Sequence, residues 1–184
     1  MTTYVSMIRG INVGGHRVVK MDRLVGLYED LGLEQPRSYL QSGNVVFGSR
    51  RAPGFDHVGA IERRIKSECG LDVAVAVLTA REMARALEAN PIARRPGVDP
   101  RFLHATFVMG REGPLSLEGA PLPLLPGEDA VLVGRVVYLY CPNGYGVSKI
   151  NNTFFERRLR ARATTRNWNT VTALERMARE EPPA

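Results

Sequence analysis

The sequence holds no apolar run approaching the roughly 20 residues that a helix needs to cross a bilayer. Its start, Met1-Thr2-Thr3-Tyr4-Val5, lacks the basic-then-apolar layout of a secretory signal. No membrane partner is therefore expected, and the expected location is the cytoplasm. Cysteine is scarce. Cys69 and Cys141 are the only two, neither in a Cys-x-x-Cys or mixed Cys/His spacing, so neither a disulfide framework nor structural zinc is implied. His16, His57 and His104 are far apart and none has an acid at ligand spacing, so no metal is expected. No Gly-x-Gly-x-x-Gly and no Walker sequence occurs, and no cofactor is expected. Paired carboxylates do not stand out either: Glu128-Asp129 lies at a strand start, where a turn favours such residues anyway, and glycosidase chemistry has no support.

What is present describes a globular protein. The 184 residues are 44% apolar and 24% charged, enough for one ordinary core or two small ones packed together, which rules out disorder, collagen and coiled coil. The net charge of +6 favours nucleic acids, phosphates or other anions as partners. Of the 25 basic residues 22 are arginine, a skew that GC-rich coding also produces, so placement says more than the total. Between Ser148 and Thr170, six basic residues face the single acid Glu156, a local balance of +5. From Glu112 to Gly146, four acids face Arg135, a balance of −3.

Hydrophobic spacing gives the element order. Tyr4 to Arg9 reads as a strand that runs into a glycine-rich loop. Met21, Leu24, Val25, Tyr28 and Leu31 fall at helical spacing before Gly32. Arg37 to Gln41 and Asn44 to Gly48 read as a hairpin closed by Ser42-Gly43. Val58, Ile61, Ile65 and Cys69 predict a second helix ending at Gly70, and Asp72 to Leu78 a further strand. Thr79-Ala80-Arg81-Glu82 is a capping box that opens a bridging helix. The second half begins with a strand from Phe102 to Met109, followed by a Pro-rich passage from Pro114 to Pro126 with room for a short helix at Ser116 to Gly119. A hairpin around Gly134-Arg135 comes next, then a helix beginning near Ser148, an extended piece around Ala163 to Arg166, and a last helix containing Val171, Leu174 and Met177. The expectation is an α+β fold of two ferredoxin-like βαββαβ halves, residues 1–90 and 91–184, forming one compact unit, the second half degraded. The duplication is read from element order alone.

Three segments carry the polar chemistry. In Arg9-Gly10-Ile11-Asn12-Val13-Gly14-Gly15-His16-Arg17 the glycines permit close backbone approach, and Arg9, His16 and Arg17 can hold an anion; the structural alternative is a wide surface turn. In Asn143-Gly144-Tyr145-Gly146-Val147-Ser148-Lys149 a glycine turn meets a helix start, where Ser148 can cap and Lys149 can add charge for a phosphate; the alternative is a hairpin exit with a routine cap. From Asn151 to Thr170, Arg157, Arg158 and Arg166 can fork onto phosphates and Trp168 can stack; the alternative buries Phe154, Phe155 and Trp168 as core beneath a solvated basic face. Cys141 reads as a buried structural thiol, with no local signature of a histidine base.

These motifs, with Tyr39-Leu40-Gln41-Ser42-Gly43-Asn44-Val45-Val46-Phe47, Phe154-Phe155-Glu156 and Ala163-Thr164-Thr165-Arg166-Asn167-Trp168-Asn169-Thr170, stand in one order from about Tyr4 to Met177. In them the chain resembles the bacterial family catalogued as domain of unknown function 1697. The resemblance implies a soluble α+β protein with two similar ferredoxin-like halves, implies no established activity, and implies that the polar loop motifs line a shared site. Val147 stands where that family usually has a basic residue.

The leading expectation is a protein that binds a phosphate-bearing ligand, RNA or single-stranded nucleic acid above all. Arg9, Arg17, Lys149, Arg157, Arg158 and Arg166 would take the charge, Tyr39 or Tyr145 would stack, and Asn12, Gly14, Gly15, Gln41, Ser42, Asn44, Asn143, Gly144, Gly146 and Ser148 would complete the site. Ferredoxin-like sheets often offer RNA an open, aromatic face, although the ribonucleoprotein signature is absent here. Two other readings are an enzyme acting on a small anionic metabolite or nucleotide, and a protein-interaction module.

Overall fold

The computed structural model describes residues 1–15, 17–52, 54–110 and 112–180. The chain forms two units: Met1–Ala84 together with the chain from Ala173 onward, and Arg85–Thr172. The expected division between residues 90 and 91 lies inside the second unit.

In the first unit, β1 (Thr2–Ile8), α1 (Met21–Asp30), β2 (Glu34–Tyr39), β3 (Asn44–Ser49), α2 (His57–Cys69) and β4 (Val75–Thr79) follow the expected order. The strands form an antiparallel sheet in the order β2-β3-β1-β4. Strand alternation puts Tyr4, Ser6 and Ile8 on one face, opposite Phe47, Val45 and Val75. That face packs with Leu24, Leu27 and Tyr28 of α1 and Ile61 and Ile65 of α2 in one core cluster. Inside this core Tyr28 Oη and Ser6 Oγ lie 2.8 Å apart in a hydrogen bond, and burial pushes the Tyr28 phenol well above its ordinary value. The helix ends obey the sequence signals. Gly32 and Gly70 have φ of +69° and +66°, and Asp56 caps α2 by accepting from Gly59 N at 2.7 Å. The β2–β3 connection is longer than the predicted two residues, because Tyr39 ends β2 and Leu40 takes up a φ of +56° before Gly43.

The second unit repeats that topology. Here β5 (Leu103–Met109), β6 (Asp129–Val133), β7 (Val136–Tyr140) and β8 (Arg162–Asn167) pair antiparallel in the order β6-β7-β5-β8. The α4 helix (Asn152–Leu159) packs Phe155 and Leu159 with Val108, Val137 and Leu139. Two expectations are corrected. No helix forms at Ser116 to Gly119: among the described residues, those between β5 and β6 are irregular, in keeping with four prolines that cannot donate. Nor does a helix begin near Ser148. Residues Tyr145–Val147 form a short 3-10 turn, and α4 starts only after Asn151, whose Oδ1 accepts from Phe154 N at 3.1 Å. Between them the chain bends through residues 149–151, and Ile150 lies in the core at 0% exposure.

Each half is followed by one more helix. In α3 (Ala80–Glu88) the capping box is present, Thr79 N and Oγ1 donating to Glu82 Oε2 at 2.8 Å each. Its last turn belongs to the second unit, where Tyr138 Oη donates to Ala86 O at 2.7 Å. The α5 helix (Trp168–Arg179) begins in the second unit with Trp168 edge-on to Tyr138. From Ala173 it belongs to the first, where Arg37 Nη2 donates to Met177 O at 2.7 Å. In both sheets the face turned away from α1, α2 or α4 is buried as well: Val5, Met7, Val46 and Ala76 in one, Leu103, Ala105, Phe107 and Tyr138 in the other, all below 5% exposure. Among the described residues, no helix is long and apolar enough to cross a membrane.

Candidate functional site

The first glycine-rich loop and the β2–β3 hairpin meet at one end of the first sheet. Asn12, at a φ of +56°, joins them: its Nδ2 donates to Val19 O at 2.9 Å and Gln41 O at 2.7 Å, while its Oδ1 accepts from Val19 N at 2.7 Å. Ile8 N donates to Gly43 O and Arg9 N to Ala74 O, both at 2.8 Å. Asn44 is fully buried and donates to Tyr39 O and Ser42 Oγ. The Asn12 and Asn44 amides thus hold the loops in shape, with their donor groups directed at the protein. Arg17 donates to Asp72 O, folding its guanidinium back along the loop. Gly14 and Gly15 have positive φ, are exposed, and have open space where a side chain would stand. Gln41 is exposed; Arg9, Tyr39 and Ser42 are half-buried. His16, grouped with them in the sequence, lies outside the described residues. Around these polar groups Val13, Val18 and Leu40 are 66, 69 and 57% exposed.

In the second unit the Asn143–Lys149 segment wraps the end of β7. Asn143 Nδ2 donates to Pro126 O at 3.0 Å, and Gly144 N to Cys141 O at 2.9 Å. Ser148 is buried, accepts from Ile150 N, and bonds the Cys141 thiol. Because α4 begins beyond it, Ser148 does not cap the helix, and the phosphate cradle expected there is not formed as predicted. Cys141 is wholly buried. Burial pushes its thiol up to about 11, so it is protonated at neutral pH and is no nucleophile.

The Tyr145 ring stacks on His104, with centroids 4.7 Å apart and planes inclined by 23°. Tyr145 Oη donates to Thr165 Oγ1 at 3.1 Å, and Thr165 Oγ1 donates to Asn152 Oδ1 at 2.7 Å. Thr106 Oγ1 lies 2.7 Å from Thr165 Oγ1 and, with the Thr165 proton already committed, is the donor. His104 and Thr106 were not anticipated as members of this network. The available signal was their spacing on β5, which places both on the face that Thr165 shares.

The basic segment divides. Arg166 is buried, donates to Thr164 Oγ1 at 2.8 Å and Thr165 O at 2.9 Å, and is pushed down to about 10 by desolvation. Arg158 is half-buried and donates to Leu117 O at 2.9 Å and to Ala120 O, tying the Pro-rich passage to α4. Glu156 accepts from Ala163 N at 3.1 Å. Lys149, Arg157 and Arg160 remain exposed, with no ion pair among the described residues. Trp168 and Phe155 are core, as the structural alternative had it.

A family model described as Protein of unknown function (DUF1697) matches residues 1–138. Among solved structures the chain is similar to the conserved bacterial protein SP0830 from Streptococcus pneumoniae. The identity is 22% and the TM-score 0.69, with 97% of this chain and 99% of that chain covered, a likeness of fold. No curated protein matches the chain.

Proposed function

The chain belongs to the DUF1697 family of proteins of unknown function, and from that premise we propose that it binds single-stranded nucleic acid through its phosphates along the exposed side of α4. The observation that carries this reading is the free basic set Lys149, Arg157 and Arg160. Arg157 stands in the last turn of α4, Arg160 caps the helix at a φ of +49°, Lys149 precedes it, and the one acid of the segment, Glu156, is bonded to the backbone of Ala163. Positive charge that the protein leaves unpaired attracts a polyanion and gains from the counterions that polyanion releases. Arg158 and Arg166, turned inward, leave this proposal as supports of the fold.

The test is fluorescence anisotropy of a labelled mixed-sequence single-stranded RNA at several salt concentrations. Binding should weaken steeply with salt. The double substitution Arg157→Ala, Arg160→Ala should lower affinity about tenfold or more and flatten the log-log salt slope by about 1.4, the expectation for two lost phosphate contacts on a single strand. Unchanged affinity in the double variant, or no binding by the wild type, would remove the proposal. A second reading, a protein-interaction module, draws on Val13, Val18 and Leu40 at the joined loops of the first unit. It becomes the working hypothesis if the titration is silent.

A further inference from the structure

Val18 and Val13 are the two most exposed large hydrophobic residues among those described, and Leu40 is also more than half exposed. Scattered singly, such residues need no explanation. These three are not scattered. Each is the chain neighbour of a residue held by the Asn12 side chain: Val13 follows Asn12, Val18 precedes Val19, and Leu40 precedes Gln41. Two hydrogen bonds from one amide nitrogen, of 2.9 and 2.7 Å, therefore bring the three positions around one point of the first unit. The point is anchored. Ile11 and Val19, on either side of the loop, are buried in the core, and Asn12 N donates to Arg17 O at 3.2 Å, closing the loop on itself.

The charge around the aliphatic residues is of one sign. From Arg9 to Arg23, the four basic residues Arg9, Arg17, Lys20 and Arg23 face the single acid Asp22, a balance of +3. The hairpin tip from Leu40 to Asn44 carries no charge. Asp72, whose carbonyl accepts from Arg17, has its carboxylate 3.6 Å from Lys66 Nζ in an ion pair of its own. Arg17 and Lys20 are exposed, and Lys20 has no ion pair among the described residues.

Exposed aliphatic groups beside cations suit one kind of partner. A stable protein interface takes about 20–30 residues a side, far more than these loops offer. An aliphatic side chain gives a nucleobase no face to stack on. A bilayer surface asks for neither a matching shape nor a large area: apolar groups sink among the headgroups while each Lys or Arg gains from anionic lipid. We infer that the joined loops of the first unit are a peripheral contact for an anionic membrane surface, in which Val13, Val18 and Leu40 enter the headgroup level and Arg17 and Lys20 meet the lipid charge. This departs from the expectation of no membrane partner, which rested on the lack of a spanning run and a leader; a surface contact needs neither.

The experiment uses the full chain and two kinds of vesicle, one of phosphatidylcholine, the other an equimolar mixture of phosphatidylcholine and phosphatidylglycerol. In co-sedimentation the wild type should favour the anionic vesicles by about tenfold or more, as two basic contacts would give. Because Trp168 is buried, the variant Val13→Trp adds a reporter with little background from the native ring. Its emission should shift to the blue on anionic vesicles and be quenched by lipids brominated in the acyl chains. Adding Val18→Ser and Leu40→Ser should abolish the shift without changing the melting temperature, whereas adding Arg157→Ala and Arg160→Ala should leave it in place. Binding with no blue shift would mean adsorption by charge alone and overturns the inference, as does the absence of binding. A shift that follows protein concentration without vesicles also overturns it, in favour of contact between copies of the chain.

Discussion

Gly43 has a φ of +72°, and a Cβ there would lie 2.6 Å from Ile11 Cδ1 and 3.0 Å from Ile8 Cβ. Gly43→Ala should therefore destabilise the protein by about 2–4 kcal/mol, combining left-handed strain with overpacking, with an unchanged denaturant slope in urea unfolding. The same neighbourhood shows what single residues hid. Asn12 and Asn44 read as ligand groups because polar side chains in glycine-rich loops so often are. Both turn amide donors to groups of the protein, and Gln41, 29 residues from Asn12, cannot be paired with it by local inspection. The polar residues of α4 divided for a similar reason: which arginines turn inward depends on carbonyls at Leu117 and Ala120, supplied by a segment with no periodicity. Trp168 and Phe155, large and apolar, were legible as core from their chemistry alone.

Elements with strong punctuation are legible in the sequence. Gly32, Gly70 and the Thr79–Glu82 box mark their boundaries through backbone conformation and capping, which are local. The start of α4 lies later than the sequence predicts because Ser148 is as good a cap in sequence as Asn151; the difference is the burial of Ile150, a tertiary demand. The Pro-rich passage stands where the first half has α1, and it holds to the second unit by a few points: Leu115 and Leu117 against the core, Glu128 Oε2 accepting from Leu125 N at 2.8 Å, and Arg158. Arg158→Ala removes a charged donor from two carbonyls. We expect a stability loss of about 2 kcal/mol and faster cleavage between residues 112 and 127 in limited proteolysis. A cleavage pattern identical to that of the wild type would show that the leucines alone secure the passage.

Across the whole molecule, the repeated strand order was visible as element order, while the two halves share no obvious residue pattern, so topology outlasted identity. Acid sensitivity also belongs to this scale. His57 is buried between Tyr4 and Phe55, and its Nε2 lies 3.0 Å from Ser49 Oγ. Burial lowers its pKa, outweighing the opposing Phe55 backbone contact and the nearby Asp56 charge, with Arg51 acting in the same direction as burial. His104 is lowered by burial too. A pKa lower in the folded than in the unfolded chain means that the unfolded state binds more protons. The associated stability is therefore present above the unfolded value of about 6.5 and is lost as pH falls through the folded value. The urea midpoint should drop from pH 7 to pH 5, and His57→Phe should flatten that dependence.

The division of the chain sets an order of assembly. Arg85–Thr172 is one continuous stretch of the chain. The other unit contains the earliest residues and also those from Ala173 onward, and Arg37 waits for the carbonyl of Met177. Within this chain the unit that begins first is thus the unit completed last. Until synthesis reaches α5, the nascent β1–β4 sheet keeps an unfinished side that a chaperone can recognise.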